Sequence, residues 1–151
     1  MSLEIVELDN FDTRLLEDLL QLQKEIFGKL GLNEGTLPLM IRCGKVFILK
    51  DGNTIIGSAE LIKDWEDDRL AFLVGFCVKE EERRKGKGKI FLEHILSRIG
   101  TQVSQIELTA SPQNQVALNL YKQAGFEEVG FRKDAYGAGE DRLLMRLRLV
   151  E

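Results

Sequence analysis

Apolar and polar residues alternate along this chain in two rhythms, one of period near 3.6 and one of short continuous runs, and the elements follow from them. Leu15, Leu16, Leu19, Leu20, Leu22, Ile26 and Phe27 recur at helical spacing as a wide stripe. This predicts a packing helix capped by Asp12 or Thr13 and ended by Gly28. Residues 3–8 read as an edge or near-edge strand. Residues 29–36, with Gly31, Asn33 and Gly35, predict a mobile loop, and residues 37–42 a short second helix. Residues 46–49 and 54–62 flank Asp51-Gly52-Asn53, a hairpin signal because glycine supplies the positive φ that tight turns demand. Residues 70–78 are almost continuously apolar, as in a central strand covered on both faces.

The second half continues with a helix burying Phe91, Leu92, Ile95, Leu96 and Ile99 up to Gly100, then a strand at 106–110. A strand–helix–strand crossover of this length makes that strand parallel to the one at 70–78. Val116, Ala117, Leu120, Tyr121 and Ala124 share one face of the next helix, which Gly125 closes in a left-handed cap. Two strands, at 126–132 and 142–149, surround a loop at 135–139.

Composition narrows the class. A chain of 151 residues with 44% hydrophobic and 30% charged content is in the size range of one folded domain, 1–151. It contains no apolar run near the ~20 residues of a membrane helix and no signal-like segment, so a cytoplasmic protein with no membrane partner is expected. Cys43 and Cys77 have no paired metal spacing and read as free, buried thiols, with no metal expected. The net charge of −4 argues against nucleic acid as a partner.

The basic charge is instead local. Val78 leads into Lys79-Glu80-Glu81-Glu82-Arg83-Arg84-Lys85-Gly86-Lys87-Gly88-Lys89, a glycine-punctuated basic loop opening a helix. Amides at a helix start lack intrahelical partners and sit at the positive end of the dipole, so this is a phosphate cradle. The Walker pattern fails in spacing and lacks its magnesium-binding hydroxyl, and the dinucleotide fingerprint fails because Phe91 stands where the third glycine belongs. Arg83-x-x-Gly86-x-Gly88 resembles the pyrophosphate loop of the GNAT superfamily of acetyl-CoA-dependent N-acetyltransferases. Downstream, Asn114-x-x-Ala117-x-x-Leu120-Tyr121-x-x-x-Gly125-Phe126 looks like that family's second signature, in the right order. The resemblance covers roughly residues 70–150.

That resemblance implies an α/β fold: a mixed, mostly antiparallel sheet of about seven strands, with helices on both faces and a splayed central parallel pair. It implies acetyl-CoA as cosubstrate and an amine acceptor, small molecule or protein, and leaves room for a homodimer. The backbone of Phe76, Cys77 and Val78 would pair with pantetheine, and Arg83, Arg84, Lys85, Gly86, Lys87, Gly88 and Lys89 would hold the pyrophosphate. Asn114 would contact CoA or merely cap its helix. Tyr121 would donate a proton to the departing thiolate or simply pack. The base is Glu107 by resemblance, with Glu60 as its competitor; either reads also as a solvated or salt-bridged surface glutamate, Glu60 more readily than Glu107, and a water chain could serve in place of both. Ser111-Pro112-Gln113 makes the connection before Asn114 longer than in the family's ribosomal-protein members. The rival reading is an acyl-CoA sensor or interaction module without turnover, and transfer of a longer acyl chain is a third.

Three features read more plainly. His94, beside Phe91 and Ile95, is expected to be structural. Asp64, Glu66, Asp67 and Asp68 form a charged turn that is solvated or attracts a cationic amine. Tyr136 resembles the aromatic that closes over the acceptor in related folds, or anchors its own loop.

Overall fold

The structure, a computed structural model, describes residues 2–149, with the side chain of Arg84 outside the described part. Seven strands and four α-helices follow one another as β1 (Leu3–Leu8), α1 (Thr13–Phe27), α2 (Leu37–Cys43), β2 (Lys45–Asp51), β3 (Thr54–Lys63), β4 (Leu70–Val78), α3 (Lys87–Ile99), β5 (Gln105–Ala110), α4 (Gln115–Gln123), β6 (Glu127–Arg132) and β7 (Arg142–Arg148). The strand order is β1-β2-β3-β4-β5-β7-β6. The described pairings are antiparallel except β4 with β5, which run parallel over Leu70–Leu73 against Gln105–Leu108. This is the expected sheet.

The chain divides into two compact units, Met1–Ile62 with Gly75–Phe91, and Lys63–Val74 with Leu92–Glu151. Strand β4 and helix α3 each contribute residues to both. In the first unit α1 begins where the Asp12 carboxylate accepts the Leu15 amide at 2.8 Å, and ends where Gly28 takes φ 58°. Its stripe buries Leu19 and Leu22 with Leu37, Ile48, Ile55 and Cys77. Gly52, at φ 63°, turns β2 into β3 as its sequence requires. Residues 29–36 are more ordered than their composition suggests. Gly28–Leu30 form a 3₁₀ turn, and the Asn33 side chain accepts the Gly35 and Thr36 amides, at 2.9 and 3.1 Å, closing an Asx turn.

In the second unit β5 carries Ile106, Leu108 and Ala110 inward, and β7 pairs along it throughout. Helix α4 is capped by Asn114, whose Oδ1 accepts the Ala117 amide at 3.2 Å. It ends where Gly125 takes φ 106° and the Phe126 amide returns to the Tyr121 carbonyl. Leu118 and Tyr121 are its buried residues; Val116, expected on the packed face, is exposed. The extra length at Ser111-Pro112-Gln113 is taken up by a turn in which Ser111 accepts the Asn114 amide. His94 is exposed rather than packed, and so is Cys43, because both lie on the outer side of their helices.

Candidate active site

The glycine-punctuated basic loop lies wholly in the first unit and is more structured than its sequence implies. A 3₁₀ helix, Glu80–Lys85, intervenes between β4 and α3, and Gly86 joins the two helices in the left-handed conformation at φ 73°. A side chain there would meet no protein atom within 4 Å, so glycine serves the backbone angle and leaves the approach to the loop clear. A described hydrogen bond runs from Ile90 to the Gly86 carbonyl, and among the described hydrogen bonds the amides of Lys87, Gly88 and Lys89 have no partner, as at a helix start.

The cations of this loop do not act alike. Lys87 is 3% exposed; its ammonium is hydrogen-bonded to Glu82 and lies 3.6 Å from Asp51 at the β2–β3 turn. The Glu82 hydrogen bond, against the opposing cost of burial, raises the ammonium's pKa and in turn holds the Glu82 carboxyl below its ordinary value. Lys87 is therefore a brace between loop and hairpin, contrary to its expected place among phosphate ligands. Lys85, 3.5 Å from Glu82, and Lys89 are exposed. Arg83 donates its Nε–H to the Val78 carbonyl at 2.8 Å, so that carbonyl, expected to pair with pantetheine, is engaged by the guanidinium. Phe76 packs its ring 5.3 Å from Phe91, tying the end of β4 to the start of α3.

Beside this loop the first unit buries a carboxylate. Glu60 is 1% exposed, correcting the surface position expected for it. Gln23 from α1 donates from Nε2 toward both carboxylate oxygens at 3.4 Å and toward Ser58 Oγ at 3.3 Å, while its own Oε1 accepts the Leu32 amide at 3.0 Å. Ser58 Oγ also lies 3.5 Å from Cys77 Sγ. From β4, Gly75 completes the surround: a Cβ there would stand 2.6 Å from Glu60 Oε1. No described cation pairs with Glu60. Burial dominates the hydrogen bonds from Ser58 and Gln23 and pushes its carboxyl up to about 7. Burial likewise pushes the Cys77 thiol up to about 11.

The second unit holds the remaining candidates. Tyr121 is buried on α4, its ring edge-on to Phe126 at 5.7 Å. Glu107 on β5 sits directly across from Arg146 on β7, and its Oε2 accepts Nε–H and Nη2–H of that guanidinium at 2.8 and 2.5 Å. Tyr136 hydrogen-bonds through its hydroxyl to Thr109 Oγ1 at 2.6 Å, with the Arg142 guanidinium 4.4 Å above its ring. The acidic run is a turn organised by Asp64, which accepts the Glu66 and Asp67 amides.

Gln23 and Ser58 escaped sequence reasoning, although each carries a signal. Gln23 interrupts the buried stripe of α1, and Ser58 shares a strand face with Glu60 two residues on in an otherwise apolar run. Arg146 was legible only once the β5–β7 register was known.

Comparison with known proteins agrees with this layout. The pattern of the Acetyltransferase (GNAT) family matches residues 14–126, and the chain belongs to that family. Among curated relatives, 81 residues are 31% identical to the "[Ribosomal protein bS18]-alanine N-acetyltransferase" of Salmonella typhimurium, 51% of this chain and 55% of that protein. A further 75-residue match is 33% identical to an N-alpha-acetyltransferase of Sulfurisphaera tokodaii, covering 48% of this chain and 45% of the relative. The matches thus span about half the length of these relatives. In fold, the chain is similar to a GNAT family acetyltransferase of Elizabethkingia anophelis solved with acetyl-CoA bound, with TM-score 0.77, 19% identity and 97% and 98% of the two chains covered.

Proposed function

We propose that this protein, acting as one acetyltransferase domain, moves an acetyl group from acetyl-CoA to a primary amine in a ternary complex. The observation that carries this reading is the pair of sites on the two units: a helix start with free amides behind a left-handed glycine, and a buried tyrosine at the family's signature position. The amides of Lys87, Gly88 and Lys89 would hold the pyrophosphate, with Arg83, Arg84, Lys85 and Lys89 supplying charge. The backbone of Phe76 and Cys77 would meet the pantetheine arm. The Val78 carbonyl would join them only if Arg83 turned toward phosphate. Asn114 caps its helix, and that bond leaves its amide nitrogen for CoA.

The chemistry is a single displacement. The neutral amine nitrogen attacks the thioester carbonyl carbon, the C–S bond breaks, and the Tyr121 phenol gives its proton to the thiolate. Reference pKa values of about 10 for tyrosine and about 8.5 for a thiol put that transfer within reach. Glu107, its Oε2 held by Arg146, suits the orientation of an acceptor amine through Oε1. The names of the curated relatives favour an α-amine at a protein N-terminus over a small-molecule amine. A sensor without turnover would not need Tyr121. The test is thiol release from acetyl-CoA with a panel of amines, including an alanine-initiated peptide; binding of acetyl-CoA without release for any amine would favour the sensor.

A further inference from the structure

We propose that the outer edge of β6 is a self-association surface, on which a second copy of this chain lays its own β6 antiparallel and joins the two sheets edge to edge. This surface lies wholly in the second unit. It goes beyond the acetyl transfer proposed above, which needs only one chain.

Strand β6 ends the strand order and has β7 as its one described neighbour, so the backbone N–H and C=O groups of its outer edge have no ladder to join. All of its residues, Glu127–Arg132, are exposed, among them Val129 at 45% and Phe131 at 58%. Natural edges are shielded by a covering element, by charged side chains or by a bulge. No described element pairs with this edge, while charges and a register shift between Glu128 and Gly130 are both present. Their arrangement singles out one partner.

The segment Glu127-Glu128-Val129-Gly130-Phe131-Arg132-Lys133 begins with two acids and ends with two bases, so it complements its own reverse. Residues directly opposite on paired strands share a face of the sheet. Glu127 stands opposite Arg146, Gly130 opposite Leu144 and Arg132 opposite Arg142, which puts these three on one face; Glu128 and Phe131, opposite Met145 and Leu143, are on the other. In a regular strand Glu127 and Arg132 would point to opposite faces, and the bulge brings them to the same one. With a two-fold axis between Val129 and Gly130, Glu127 of each copy meets Arg132 of the other, and Glu128 meets Phe131. Lys133 then lies diagonal to the other copy's Glu128, within reach of a long side chain.

Within one chain these charges are poorly served. Among the described residues Glu127, Arg132 and Lys133 have no ion-pair partner, and Glu128 has only the exposed Lys122, at 3.4 Å. Arg132 faces Arg142 across the strand pair, a like-charge contact that is unfavourable, and Arg142 itself stacks on Tyr136. The guanidinium opposite Glu127, that of Arg146, is already bonded to Glu107. A second copy brings Arg132 the carboxylate it lacks and Glu127 a cation of its own. The same charges repel most unrelated strands, so the edge is guarded against chance pairing yet open to its own reverse.

Sedimentation velocity over a concentration series, in ~0.1 M salt, tests this. One strand pairing buries less than the ~1,200 Å² of a stable interface, so wild type should show a monomer–dimer equilibrium with a dissociation constant on the order of 10 µM. Arg132→Glu and Glu127→Arg each turn both cross-chain ion pairs into repulsions and should each weaken the dimer by at least about tenfold. Mixed in equal amounts, the two single variants should pair with each other about as tightly as wild type does with itself, because every charge again meets its opposite across the antiparallel strands. The double variant Glu127→Arg with Arg132→Glu should self-associate for the same reason, and it decides the matter if a single variant folds poorly. Wild type that stays monomeric up to ~1 mM overturns the proposal. So does a dimer that neither single variant weakens, which would be built on another surface, and so does a failure of both the mixture and the double variant to recover association.

Discussion

Two glutamates on strands, one in each compact unit, have opposite electrostatic lives. Glu107 lies across a strand pair from Arg146 and spends one oxygen on two guanidinium hydrogen bonds. Glu60 is more deeply buried and has an amide and a hydroxyl for company, with no described cation. The first is already neutralised by the protein that holds it. The second is instead pushed by burial toward its own protonated form. Residue type is shared, so the difference arises from burial and partner together: a cross-strand arginine for the less buried one, a helix glutamine for the other.

The harshest test removes the proposed donor from the loop of the first unit. Gly86→Asp forces an acidic side chain into a left-handed backbone position and places negative charge where phosphate would lie. Acetyl-CoA affinity measured by calorimetric titration should fall by at least about a thousandfold, or ~4 kcal/mol, and undiminished affinity would remove the basis for the phosphate loop. Tyr121→Phe comes next. It should lower kcat by about 10²–10⁴-fold with acetyl-CoA affinity nearly intact, and an unchanged kcat would make Tyr121 a packing residue with water as the proton source.

Stability against pH sharpens the contrast more gently. The folded state raises the Glu60 carboxyl from 4.5 to about 7, so between those values it binds more protons than the unfolded chain and stability declines as pH rises. The loss should amount to on the order of 3 kcal/mol across that window, with little further change from this group above it. Urea titrations of wild type and Glu60→Gln should diverge there, the variant lacking the decline; parallel curves would mean that Glu60 ionises freely in the fold. The smallest effect belongs to Glu107→Gln. Its ion pair is partly exposed, so about 1 kcal/mol of stability and only a few-fold, pH-independent change in kcat are expected. A deficit greatest near neutrality would make Glu107 the base.

Much of the fold was legible because its signals are local. The Asp51-Gly52-Asn53 hairpin, the Asp12 cap, Gly28 and Gly125 each require one backbone conformation, and the structure has them. The parallel relation of β4 and β5 followed from the length of the crossover. What sequence could not supply was the direction in which charged side chains turn. Lys87 and Lys89 look equivalent two residues apart, yet one is buried against Glu82 and Asp51 and the other is exposed. Glu60 and Glu107 both stand among apolar neighbours on strands, and only the register with β7 and the approach of α1 separate them. A tyrosine within a signature was easier to place than a glutamate outside one.

The contact between Gly75 and Glu60 makes these two positions a single heritable trait. A side chain at residue 75 would begin 2.6 Å from Glu60 Oε1, so the glutamate side chain would have to swing aside, and a smaller residue at 60 would lift that demand. Descendants of this chain should therefore keep glycine at 75 for as long as they keep glutamate at 60, and lineages that abandon the acid should be the ones in which position 75 begins to drift.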